Sequence, residues 1–151
     1  MNSVKVPALP PLPEGVTPHV AALTGRLFEV IRQSLADEDW DGLRPSHFRL
    51  LGHVPPGGTT ITDLSAALFM TKQAVGQFVT QLEEAGYLVV RTDEDDRRRR
   101  VVRRTPRGDA ITAKVDARIA GVEHAWAAQV GAERYGQFLA VLSEISQARG
   151  P

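Results

Sequence analysis

The sequence predicts a mainly α fold with a small β-hairpin wing, and three observations lead to it. Residues 61–86 hold two short amphipathic segments with an interruption too brief for a separate domain. Residues 87–105 hold two strand-like runs around a charged tip. Both ends of the chain carry long apolar stripes at helical spacing.

The chain opens on residues 1–18, which hold five of its ten prolines and no helical period, so they are read as a flexible Pro-rich arm. Residues 19–44 form the first helical segment, with Val20, Leu23, Leu27, Ile31 and Leu35 on one stripe until the acidic DEDWDG at 37–42. A second helix is expected from Pro45 and Ser46 through Phe48, Leu50, Leu51 and Val54, closed by the breakers Pro55, Pro56, Gly57 and Gly58.

Thr62 is the expected cap of the third helix, with Leu64, Ala67 and Leu68 on its buried side. Thr71 is the expected cap of the fourth, with Val75, Phe78, Val79 and Leu82 inward and Gly86 closing it in a left-handed conformation. Tyr87–Arg91 and Arg100–Thr105 read as strands on either side of the polar TDEDD turn. Helix, short turn, helix and hairpin together make a winged helix-turn-helix over residues 45–107. Residues 108–151 are helical, with Ile111, Val115, Ile119, Val122 and Trp126 on one stripe. Tyr135, Phe138, Leu139, Leu142 and Ile145 form a second after Gly131. A winged core cannot cover these stripes together with that of the first helix, so both ends are expected to be dimerisation helices. Val20, Trp126, Phe138 and Leu142 are the expected interface residues, and a second copy of the chain is the expected partner.

Composition narrows the function. The absence of cysteine excludes disulfides, thiolate metal sites and cysteine redox sensing. No apolar run approaches the roughly 18 residues that span a membrane, and the N-terminal sequence lacks signal-peptide features, so a cytoplasmic protein without membrane contact is expected. The four histidines have no metal-ligand spacing, and no nucleophile motif or phosphate loop is present. The expectation is therefore a protein without catalytic residues, metal or cofactor.

Formal charge is zero, yet residues 97–107 hold seven arginines and no acid. A basic strip on a balanced chain suits a local anion partner. On the fourth helix, Gln73, Gly76, Gln77 and Thr80 fall opposite the apolar stripe. Glutamine amides can pair with adenine edges, and a threonine with a phosphate or a thymine methyl. Thr71 and Lys72 stand at the helix N-terminus, where an ammonium and free N–H groups attract phosphate. A solvated helix face is the competing reading. Gly76 reads equally as a point of close approach to DNA or of close packing on a neighbouring helix. At the hairpin tip, strand alternation would send some of Arg97, Arg98, Arg99 and Arg100 away from the protein, toward a narrow minor groove, with Asp96 pairing Arg98 to fix the tip. Double-stranded DNA is the expected partner. The competing hypothesis is a winged-helix module that binds protein instead.

The stretch ITDLSAALFMTKQAVGQFVTQLEEAGYLVVRTDEDDRRRRVVRRTPRG resembles the MarR (multiple antibiotic resistance regulator) family of bacterial repressors. The similarity lies in motif order: helix-turn-helix, the LEEAGYLVV bridge, Asp96-x-Arg98 in the wing, then Thr105-Pro106-x-Gly108 opening a long helix. The resemblance implies a triangular homodimer with interleaved terminal helices, a recognition helix in each major groove and wing arginines in the flanking minor grooves. It also implies a small anionic or phenolic effector between the lobes. His19, Arg26, Trp40, His47, Arg49 and His53 are candidate effector contacts, each with an ordinary packing or surface role as the alternative. Arg104 departs from the family pattern, which has an apolar residue there. Its stem is expected to pack with its head in water, or else the second strand shifts.

Overall fold

The computed structural model describes residues 6–36, 38–93 and 95–147. The first five residues of the expected arm, Asp37, Glu94 and the last four residues of the expected C-terminal segment lie outside the described residues. The elements are α1 (Val20–Ala36), α2 (Pro45–Gly52), α3 (Ile61–Leu68), α4 (Lys72–Glu84), β1 (Leu88–Thr92), β2 (Arg100–Arg104), α5 (Pro106–Val130) and α6 (Ala132–Gln147). They fall into two compact units, Leu35–Asp116 and Met1–Ser34 with Ala117–Pro151.

In the first unit, local chemistry fixes each helix start. Pro45 opens α2, and the Arg44 backbone amide donates to His47 Nδ1 at 2.9 Å. Thr60, not Thr62, caps α3. Its backbone is extended, and its Oγ1 accepts from the Asp63 amide and donates to the Asp63 carboxylate. Thr71 caps α4 through the Ala74 amide at 3.1 Å. Leu64 and Leu68 of α3 and Val75, Val79 and Leu82 of α4 are buried with Leu50, Leu51 and Val54 around Tyr87, Leu88 and Val102. Ala67 is exposed, contrary to expectation: with Leu64 and Leu68 both inward, the buried side of this two-turn helix is already filled.

The turn between α3 and α4 is Phe69–Thr71. Phe69 ends α3 in the left-handed region at φ 54, and the Phe69 and Met70 amides bond back to Ala66 and Ser65. This is the pattern in which glycine is usual, and a side chain there costs about 1–2 kcal/mol.

The strands β1 and β2 pair antiparallel from Leu88 with Arg104 to Thr92 with Arg100. Thr59 adds a bridge to the outer edge of β2, its amide and carbonyl both bonded to Val102. That bridge needs Gly58, whose φ is +82 and whose Cβ would overlap the Val101 and Arg103 side chains. The breaker run Pro55–Gly58 thus closes α2 and also delivers a residue to the sheet.

Thr105, Pro106 and Gly108 form the junction from hairpin to α5. Thr105 Oγ1 accepts the Gly108 amide at 3.1 Å and donates to the Gly86 carbonyl at 2.7 Å, while the Thr105 amide reaches Tyr87 O. A Cβ on Gly108 would overlap the Tyr87 carbonyl. Gly86, at φ +79, turns the chain out of α4 as expected.

The second unit is less consolidated. Val30, Ser34 and Val122 are buried, and the Arg118 guanidinium bonds the Ser34 carbonyl at 3.1 Å. Val20 of the predicted α1 stripe is 75% exposed, and α6 has no buried residue. Gly131, at φ +95, separates α5 from α6. Residues 6–18 lack helix and strand. Leu9 and Leu12 are nonetheless half-buried and the Arg26 guanidinium bonds the Pro10 carbonyl, so this part of the arm is held to its unit.

Gly108→Ala is expected to destabilise the folded protein by at least about 2 kcal/mol, since backbone must move to admit the methyl group. Urea unfolding measures this, and an unchanged midpoint would contradict the described junction.

Candidate nucleic-acid interface

Thr71, Lys72, Gln73, Gln77 and Thr80 are all exposed along one side of α4, opposite the buried Val75, Val79 and Leu82. Gly76 is half-buried, and a Cβ there would meet nothing within 4 Å. Packing on a neighbouring helix of this chain therefore does not explain the glycine. The Thr80 hydroxyl turns back to the Gly76 carbonyl at 3.0 Å, which leaves its methyl group to the helix surface.

A groove of about 510 Å³ lies between α4 and the hairpin, with Gly76, Thr80 and Glu83 along one wall and Arg98, Arg99 and Arg100 along the other. Glu83 holds this groove to a fixed width. Its carboxylate accepts the Val90 amide at 2.9 Å, an edge donor that β2 does not use, and so ties the root of the wing to α4. Sequence reasoning missed Glu83 because nothing in its helical position announces a partner seven residues on.

The wing tip differs from the expectation in its mechanism. Arg97 and Arg98 sit in a turn and β2 begins only at Arg100, so strand alternation does not orient them. All four arginines are exposed because the turn projects. Asp96 meets Arg98 at its backbone amide, 3.0 Å from Oδ1, rather than at its guanidinium. Asp93 does the same for the Asp95 amide, and its carboxylate also lies 3.6 Å from Arg99. These are Asx turns, in which a short carboxylate satisfies the amide two residues on. Among the described residues, Arg97, Arg98 and Arg100 have no ion-pair partner.

Two further arginines of the run, Arg104 and Arg107, are committed elsewhere, while Arg103 is exposed on β2. Arg107 stacks 4.4 Å over the Tyr87 ring and bonds the Ala85 carbonyl. Arg104 keeps its register opposite Leu88, so β2 does not shift. Its stem packs as expected and its head is mostly drawn in, 3.3 Å from the Leu51 carbonyl and with Nε 2.8 Å from Asp109 Oδ1, an ion pair off the line of a hydrogen bond, while 16% of the side chain stays exposed. Asp109, in the first turn of α5, makes an arginine acceptable where an apolar residue would otherwise pack.

The expected effector contacts divide between the two units, His19 and Arg26 in one and Trp40, His47, Arg49 and His53 in the other. Each of the latter four has a structural partner. Trp40 is buried edge-on to Phe48, donates its indole N–H to the Leu35 carbonyl and lies beneath Lys114. His47 accepts the Arg44 amide and stands edge-on to Phe78. Arg49 bonds the Leu68 carbonyl, and His53 Nδ1 the Arg49 carbonyl. Among the described residues no group of three or more His, Asp or Glu could hold a metal ion, and no helix is long and apolar enough to cross a membrane.

The MarR family model matches residues 41–99, from the loop before α2 to the wing tip. Over these residues the chain is similar to the MarR family. Its fold, a mostly helical chain with one two-stranded wing, is that of solved MarR-type regulators. CouR from Rhodococcus jostii RHA1, solved bound to p-coumaroyl-CoA, superposes with a TM-score of 0.71 at 19% identity, covering 87% of this chain and 92% of that one. CouR bound to a 23-mer DNA duplex gives 0.67 at 19% identity, covering 85% and 93%. The transcriptional regulator Tm0710 from Thermotoga maritima gives 0.56 at 28% identity, covering 83% and 89%. No curated protein sequence matches significantly. In this fold α4 is the second helix of the helix-turn-helix, and the β1–β2 hairpin is the wing.

Proposed function

We propose that this protein is a sequence-specific transcriptional repressor that binds duplex DNA as a homodimer. The recognition helix α4 enters a major groove, and the wing arginines lie along the flanking minor groove. The observation that carries this reading is the groove between α4 and the wing. One wall is a helix face with an open glycine and Glu83 at its end; the other carries the wing arginines, of which Arg98 and Arg100 have no ion-pair partner among the described residues. Such a groove fits a sugar–phosphate strand, with neutral amides free to read bases and guanidinium groups to neutralise phosphate. The structure of CouR, a repressor solved on a DNA duplex with this fold, supports the docking mode.

Dimerisation rests on the terminal unit. Leu23, Phe28, Phe138, Val141, Leu142 and Ile145 are exposed there, more apolar surface than a lone chain keeps in water. A two-fold partner of identical sequence covers such a surface with its own copy of it.

Sedimentation at micromolar concentration should give twice the chain's 16.5 kDa; a monomer would refute the dimer. Binding titrations over a range of salt, on a selected site and on random duplex, separate the roles of helix and wing. Gln77→Ala should cost roughly 1–3 kcal/mol on the selected site alone. Arg98→Ala should weaken binding to both duplexes and flatten the salt slope by about one ion per chain. If both variants bind both duplexes as the parent does, the groove is not a DNA site and a protein-binding role takes its place.

A further inference from the structure

Phe69, in the turn of the helix-turn-helix, is 93% exposed and held at φ 54. Folding alone gives no reason for it. The left-handed position is one that glycine fills without strain, and the side chain buries nothing in return. The half-buried Met70, packed on the core, anchors the turn without it. Dimerisation does not account for it either. Among the described residues, every other exposed large hydrophobic belongs to the terminal unit, at positions 16–28 and 130–145, and Phe69 is the single one in Leu35–Asp116. Backbone strain carrying an exposed aromatic, and adding nothing to the fold, points to a contact made outside the chain.

The place of Phe69 says what that contact is. It lies two residues before Thr71, the cap of α4, and is continuous with the exposed Thr71, Lys72 and Gln73 at the helix N-terminus. The surroundings of this aromatic are a cation and free helix N–H groups, which select a polyanion with apolar parts over a wholly apolar partner. We infer that Phe69 is a further DNA-binding residue that makes an apolar contact with the duplex beside α4, on a thymine methyl, which would specify sequence, or on a deoxyribose face, which would add affinity alone. This inference rests on the DNA-binding reading above. Phe69 supplies apolar contact at the leading end of α4, where the neutral amides of Gln73 and Gln77 supply hydrogen bonds. An uncharged ring releases no counterion, so its share of affinity is independent of salt, unlike that of the wing.

The test uses the full-length chain and a duplex that it enriches from a random pool. Phe69→Gly and Phe69→Asn both suit a left-handed residue, so their melting temperatures should equal or exceed the parent's. Both should nevertheless bind the enriched duplex about tenfold more weakly, with an unchanged salt slope, while Phe69→Tyr stays within about threefold of the parent. Replacing thymines of the duplex one at a time by uracil distinguishes the two contacts. A methyl contact appears as one position where the parent loses affinity and Phe69→Gly does not; a sugar contact gives no such position. Parental affinity in both the glycine and asparagine variants overturns the inference and leaves the DNA-binding reading intact, as does a tyrosine variant as weak as glycine. If the parent enriches no duplex, the DNA-binding reading itself fails and takes this inference with it.

Discussion

Gly108 passes so close to the Tyr87 carbonyl that no side chain fits between them, and the wing depends on that approach. With Thr105 bonded to Gly86, Tyr87 and Gly108, the contact closes the hairpin at its root and starts α5 at the same point. The Glu83 carboxylate then fixes the edge of β1 to α4. The wing's root is buried through Leu88, Val101 and Val102, but its tip is polar and adds no apolar burial. Its orientation is set by that packing together with these directed bonds at one end, and the arginine tip projects beyond both. Backbone close approach and hydrogen bonds are directional in a way that apolar packing is not. That is the property needed to keep a helix and a wing at a set spacing.

Charge in this chain is arranged by position rather than by amount. The acids at the wing tip look self-defeating beside four arginines, and as point charges they would be. Asp93 and Asp96 instead spend their lone pairs on backbone amides, shaping the turn that carries Arg97 and Arg98 outward. Arg104 and Arg107, which look in the sequence like more of the same basic strip, are drawn into the fold by Asp109, Leu51, Ala85 and Tyr87. A neutral protein thus gathers arginines without ion-pair partners where the wing projects.

The repeating features were legible in the sequence. Apolar residues three and four apart located the helices of the winged unit, Thr71 and Gly86 bounded α4, and the alternation around TDEDD located the wing. What escaped was set by three-dimensional neighbours. Thr60 and Thr62 are equally good caps on paper, and the Thr59 bridge to Val102 decides between them by holding the preceding backbone extended. The inward turn of Arg104 required knowing that Asp109 would face it across the Thr105–Gly108 junction. Gly76 was ambiguous until the space beside it proved empty. Phe69 gave no signal, because an aromatic after an apolar helix reads as core, and only its positive φ turns it outward.

The central claim is that two copies of one rigid helix–wing groove engage a duplex symmetrically. Hydroxyl-radical footprinting of the full-length protein on a genomic fragment that it selects tests this most directly. The account predicts two equivalent protected patches about ten base pairs apart, or a multiple of that, over an inverted repeat, with minor-groove protection flanking them. A single protected half-site, or protection over a direct repeat, would contradict it.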